Sequence, residues 1–168
     1  MQPISSNFHW VFCQLEWLQC HPSSKLQSIL QKLPVSLDDT YEHILMEINI
    51  ENQVLIHCLL QCLLVSMWPL SVAELGEVLA FEFDETKGGV PKPTTEWKWE
   101  DNKQILLSAC SSLITIVKKG DFEVVQLSHL SVKEFLMPNH LKTSETGISH
   151  YHIVPEDAHT AIAHACIG

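Results

Sequence analysis

The sequence predicts a mostly α fold with a small β-hairpin (α+β), and three observations carry that reading. Apolar residues recur with helical spacing through most of the first eighty positions. Two β-branched runs, "LITIV" and "FEVVQLSHL", are joined by the glycine turn "KKGD". The order helix, helix, helix, hairpin between residues 51 and 137 is that of a winged helix-turn-helix, here preceded by a helical subdomain.

In chain order, "FHWVFCQLEWL" places Phe8, Val11, Phe12, Leu15 and Leu18 on one helical stripe. "SSKLQSILQKL" does the same with Leu26, Ile29, Leu30 and Leu33, and Pro34 stops it. A third helix, "SLDDTYEHILMEI", carries Leu37, Tyr41, Ile44, Leu45 and Ile48, with Ser36, Asp38 and Asp39 suited to its cap and first turn. A fourth runs from about Asn52 to Trp68 and is closed by Pro69. Ser71 and Glu74 then have capping-box spacing at the head of a short fifth helix. Residues 82–101 turn polar and acidic around Gly88-Gly89, Pro91 and Pro93, as in a surface loop. "DNKQILLSAC" resumes a helix before the hairpin. Beyond it, Ser131 and Glu134 repeat the capping-box spacing, which makes Ser131 the expected cap of the next helix. A polar connector and a helix from about Glu156 finish the chain. The expected organisation is a helical subdomain at 1–50, a winged-helix domain at 51–137, and a linker with the start of a further helical region at 138–168.

Composition excludes several functions. The 168 residues hold ten lysines, no arginine and twenty acids, for a net charge of -10, so most of the surface repels phosphate backbones and anionic membranes. The expected recognition helix, "DNKQILLSAC", has one lysine and an acidic approach, which argues against DNA reading. The longest apolar run, Val54 to Trp68, is interrupted by His57, Gln61 and Ser66 and is too short to span a bilayer. With no secretory signal in "MQPISSNFHW", the six cysteines read as reduced thiols of a cytoplasmic protein.

Candidate chemistry concentrates in "VVQLSHLSVKEFL". Ser128, His129 and Ser131 resemble a nucleophile and its base, yet the glycines of a nucleophile elbow are missing, so a serine hydrolase is the weaker alternative. Strand alternation puts His129 on the face of Val125 and Leu127, pointing inward. A neutral imidazole at a cleft edge can also donate to a phosphate oxygen. Cys58 and Cys62, beside His57, lack the spacing of a metal site. No phosphate-binding loop is present, so the chain by itself carries no cofactor.

"FHWVFCQLEWLQC", "LPVSLDDTYEHIL", "WPLSVAELGEVLAFEF", "LLSACSSLITIV" and "VVQLSHLSVKEFL" together resemble the segment that follows the nucleotide-binding core of fungal NACHT-type signal-transduction ATPases, many of which carry ankyrin repeats further on. The same winged-helix module is described in GPI inositol-deacylase-like proteins. This resemblance implies a non-catalytic regulatory module that folds over the nucleotide-binding domain and locks its closed, diphosphate-bound state. It also implies that His129 is the position that senses the nucleotide phosphate. The expected partners are a nucleotide-binding domain in cis or in trans and a downstream repeat domain, with ADP or ATP bound only in a full-length relative and neither nucleic acid nor membrane as a partner. Two departures stand out: His9 holds a place usually occupied by arginine, and the core's own nucleotide-binding motifs are not among these residues. The chain therefore reads as a fragment of such an ATPase. A lipid-deacylase fragment and a DNA-binding winged helix are the alternatives.

Overall fold

The structure, a computed structural model, describes residues 4–19, 33–82, 92–93, 110–138, 141 and 147–167. The helix expected over 23–33 lies outside them except for Leu33, which is not helical, and so do most of the acidic stretch and all but the last residue of "DNKQILLSAC", where Cys110 is helical. Helix α1 spans Ile4–Gln19 and α2 spans Leu37–Met46. Ser36 caps α2 as expected: its hydroxyl accepts from the Asp39 amide at 3.0 Å, and the Asp39 carboxylate accepts from the Ser36 amide at 3.2 Å. This reciprocal pair satisfies two donors that a helix start leaves open.

After a 3-10 turn at Ile50–Asn52, α3 runs Gln53–Val65. It buries Ile56, Cys58, Leu59, Leu60, Cys62 and Leu64, residues spread around much of its circumference, which is why its sequence is apolar with little alternation. The helix stops at Val65, short of the expected Trp68, because Ser66 turns to an extended conformation and both its amide and its hydroxyl bond back to the Cys62 carbonyl. Lys133, 69 positions further along the sequence, donates to the Leu64 carbonyl at 3.5 Å, placing a cation at the negative end of α3.

Leu70–Ser71 form a two-residue strand, β1, and the expected capping box of Ser71 and Glu74 opens α4 at Val72–Leu79. The Ser71 hydroxyl donates to the Glu74 carboxylate at 2.6 Å and the Ser71 amide at 2.8 Å, and these bonds, the hydroxyl's foremost, hold that carboxyl below its usual range. Strands β2 (Phe81–Glu82) and β3 (Lys92–Pro93) pair antiparallel, so the acidic stretch, expected as a loop, begins as a small two-stranded ladder. The wing is β4 (Ile114–Lys119) and β5 (Phe122–Leu127), turned by Gly120 at φ 61, a conformation suited to glycine. The sheet order is β1-β5-β4, with Leu70 facing Val125 and Ile116 facing Val125 from the other side. Helix α5 follows at Leu130–Leu136, and α6 occupies Pro155–Ile167 beyond a 3-10 turn at Ser149–Tyr151.

One cluster of buried side chains extends from Cys13 in α1, through Tyr41, Leu59, Leu75, Val125 and Phe135, to Tyr151, Ile153 and Ala158. The three segments distinguished in the sequence all contribute to it. A pair of substitutions within α3 isolates the value of this burial from helix propensity. Leu59 is fully buried and Val54 is two-thirds exposed; in urea unfolding, Leu59→Ala is expected to cost about 2 to 5 kcal/mol and Val54→Ala less than about 0.5 kcal/mol.

Candidate functional site

The residues singled out in the sequence meet where β5 hands over to α5. The Ser128 amide donates to the Leu113 carbonyl at 2.9 Å and its hydroxyl to the Ser112 carbonyl at 2.7 Å, which ends the strand pairing and turns the chain. His129 follows in an extended conformation (φ -154, ψ 153) and is itself the N-cap of α5. Its Nδ1 accepts from the Ser131 amide at 3.2 Å.

This corrects the expected capping box. The helix begins earlier than the Ser131–Glu134 spacing suggested, and Ser131 lies inside its first turn with its side chain buried. A tertiary contact fixes the difference. The Ser131 Oγ lies 2.7 Å from the Tyr41 hydroxyl on α2 and 2.7 Å from His129 Nδ1. A serine at the cap position would sit at the helix mouth; here it is drawn inward to link two elements, and the histidine ring takes over the cap.

The proton positions follow from the chemistry. An amide N–H can only donate, so Nδ1 of His129 is an acceptor, and the neutral ring carries its proton on Nε2. The Ser131 hydroxyl then donates to Nδ1 and accepts from the Tyr41 hydroxyl. The result is a directed chain from α2 through α5 to a ring whose remaining nitrogen is a donor.

The ring of His9, from α1, stacks on that of His129 with centroids 4.7 Å apart and planes 14° apart. His9 Nε2 also lies 3.5 Å from the Ser128 hydroxyl and 3.6 Å from the Cys13 sulfur. Burial first, and then the neighbouring His129, pushes the His9 imidazole down to about 4. Burial pushes the Cys13 thiol up to about 12, aided by Glu16, and burial likewise raises the Tyr41 phenol. At neutral pH none of these three groups is charged.

Helix α1 is oriented opposite to what its apolar stripe suggests. Phe8 is 74% exposed, Val11 46%, Phe12 47% and Leu15 53%, whereas His9, Cys13 and Gln14 are buried. The inward face is held by polar contacts: the Gln14 amide donates to Thr40 Oγ1 at 2.9 Å, and Glu16 accepts from Ser112 Oγ at 2.7 Å. Sequence reasoning passed over Gln14 and Tyr41 as site residues, since each sits in an ordinary helical pattern and no local signal marks its distant partner.

A serine hydroxyl 2.7 Å from an imidazole is the first requirement of a hydrolase. Here the hydroxyl is buried and already shared with Tyr41, and among the described residues no carboxylate is hydrogen-bonded to the ring. Elsewhere, Cys58 and Cys62 are buried thiols in α3, and among the described residues no group of His, Cys, Asp and Glu is arranged to hold a metal ion. No single described helix is long and apolar enough to cross a membrane.

A short helix with a capped start, a three-stranded sheet with a glycine-turned wing and a helix closing over its end define a winged-helix domain. Residues 43–149 match the family model described as GPI inositol-deacylase, winged helix domain, and the chain belongs to that family. His129 and Ser131 lie within the matched span; His9, Cys13 and Tyr41 precede it. The chain is also similar to the azaphilone pigments biosynthesis cluster protein L of Monascus ruber, with 30% identity over 150 residues. That alignment covers 86% of this chain and 30% of the relative, so the chain spans less than a third of the relative's length. No solved structure matches.

If the Tyr41 and Ser131 hydroxyls stabilise the fold through each other, their removal is not additive. A double-mutant cycle with Tyr41→Phe and Ser131→Ala, followed by urea unfolding, is expected to give a coupling of about 1 kcal/mol. A coupling indistinguishable from zero would show that the two hydroxyls do not depend on one another.

Proposed function

We propose that this chain is a non-catalytic regulatory module that docks on a nucleotide-binding core, in cis or in trans, and stabilises its closed, diphosphate-bound state, with His129 facing the nucleotide phosphate. The observation that carries this reading is the Nδ1 cap of His129, which leaves an Nε2–H donor on a half-buried ring. A phosphate oxygen is the natural acceptor for such a donor. The exposed stripe Phe8, Val11, Phe12 and Leu15, on the helix whose His9 stacks on His129, with exposed Leu130 next in sequence to it, supplies the apolar surface that docking needs. Family membership supports the module reading, because the matched family is a winged-helix domain rather than a catalytic one.

The chain binds no nucleotide tightly by itself under this reading; ADP or ATP is held by the core, and a repeat domain is the second partner. A contact of this kind shifts the closed and open populations when it supplies about 1 to 3 kcal/mol more to one than to the other. The acidic surface disfavours nucleic acid and anionic membranes as partners, and a buried thiol such as that of Cys13 suits a cytoplasmic setting.

The test uses a protein that carries this module together with a nucleotide-binding core. His129→Ala is expected to weaken ADP binding about tenfold, as read by fluorescent-ADP titration, and Phe12→Asp to weaken it similarly by spoiling the docking face. Unchanged ADP affinity in both variants would remove the reading. The 2.7 Å contact between Ser131 and His129 favours one other reading, a small esterase or deacylase. It predicts ester turnover by the chain that Ser131→Ala abolishes; the module reading predicts that the chain and the variant do not differ.

A further inference from the structure

We propose that the stacked imidazoles of His9 and His129 form a proton-operated latch, holding α1 against the wing and α5 near neutral pH and releasing it on mild acidification. The device is independent of whether the module docks on a nucleotide-binding core. It stands on three features of the geometry. The rings lie face to face at 4.7 Å, a separation at which two imidazolium ions repel strongly. The cap of α5 needs a bare Nδ1 on His129, so a proton there removes the acceptor for both the Ser131 amide and the Ser131 hydroxyl. Helix α1 turns its apolar stripe outward, so among the described residues its attachment rests on Cys13, the half-buried Trp10 and a few polar contacts, as in a weakly held element.

The groups around the pair offer a positive charge little compensation. From α1 come Cys13 and Glu16; the thiol is pushed up to about 12 by burial and by Glu16, and Glu16 accepts from Ser112. From α2 come Tyr41, whose phenol is raised by burial, and the exposed Asp38. From the wing come the neutral hydroxyls of Ser112 and Ser128, and from α5 Ser131 and the exposed Glu134. None of these carboxylates is hydrogen-bonded to either ring among the described residues. The sign is therefore set. His9 has a folded value of about 4 against an ordinary 6.5, so the released state takes up a proton that the docked state refuses. Docking is at full strength above about 6.5 and weakens as pH falls from 6.5 toward 4.

His57, on α3 against Tyr151, is also pushed down to about 4, by burial first and then by His150, so acid has a second point of attack on α3 itself. The experiment must therefore be local and use another helix as its control. Hydrogen exchange of α1 and α4 amides is compared at pH 7.5 and 5.5, corrected for intrinsic rates. Wild-type protein is expected to lose at least tenfold protection in α1 while α4 changes less than threefold. The variant His9→Phe/His129→Asn keeps an aromatic stack partner and a good cap without either proton site, and should hold α1 protection constant between the two pH values. Should that variant fail to fold, His9→Phe alone serves, with an α1 loss at least threefold smaller than wild type. His57→Phe should leave the α1 loss intact. Equal α1 protection at both pH values, a loss that persists in the variants, or a loss shared equally by α4 would overturn the latch.

Discussion

The chain of hydrogen bonds from Tyr41 through Ser131 to His129 is the contact on which the rest of this architecture turns. It ties a helix near the start of the chain to the helix that follows the wing. It also fixes where α5 begins and which nitrogen of the imidazole bears the proton. Tyr41 packs its ring on Phe135 with centroids 5.3 Å apart, so the hydrogen-bonded tip is anchored by an apolar body in the same core. Both hydroxyls are buried, and a buried polar group without its partner is costly. The arrangement is consequently specific: Ser131 cannot remain at an exposed helix mouth while Tyr41 is buried opposite it.

Under the proposed module reading, the same contact makes Ser131 and His129 architectural rather than catalytic. Proximity alone does not distinguish the two roles, since both place a hydroxyl within hydrogen-bonding distance of a ring nitrogen. Surroundings do. In this fold the serine passes a bond onward from a buried phenol, and the ring nitrogen that accepts from it also accepts from a backbone amide. The other ring nitrogen is an N–H donor, which under the proposed reading suits an acceptor such as a phosphate oxygen.

Much of the fold was legible in the sequence because its signals are local. Ser36 caps α2 and Ser71 with Glu74 forms the capping box that their spacing predicts, and the glycine between two β-branched runs turns the wing at Gly120. The early end of α3 is local, set at Ser66, whereas the failures at Ser131 and α1 share one physical cause, which is that a distant partner overrides a local pattern. Ser131 has the right spacing to Glu134, yet Tyr41, ninety positions away in sequence, draws it into the core. Trp68 continues an apolar run, yet Ser66 bonds back to Cys62 and ends α3 early. The stripe of α1 has regular helical spacing, yet its polar face is the one turned inward, because Gln14, Glu16 and His9 find Thr40, Ser112 and His129 there. Periodicity shows that a helix has two faces; it does not show which one a given neighbour will take. His129 was legible as a candidate, but its stacking on His9 was not, because nothing in either local pattern refers to the other.

The account depends most directly on the protonation pattern of one ring, and nitrogen NMR of the His129 imidazole at pH 7.5 reads it. The structure predicts a bare Nδ1 and a protonated Nε2, with the Nδ1 resonance moving when Ser131 is replaced by alanine. A proton found on Nδ1, or an Nδ1 indifferent to Ser131, would contradict both the cap and the donor on which the proposed phosphate contact rests.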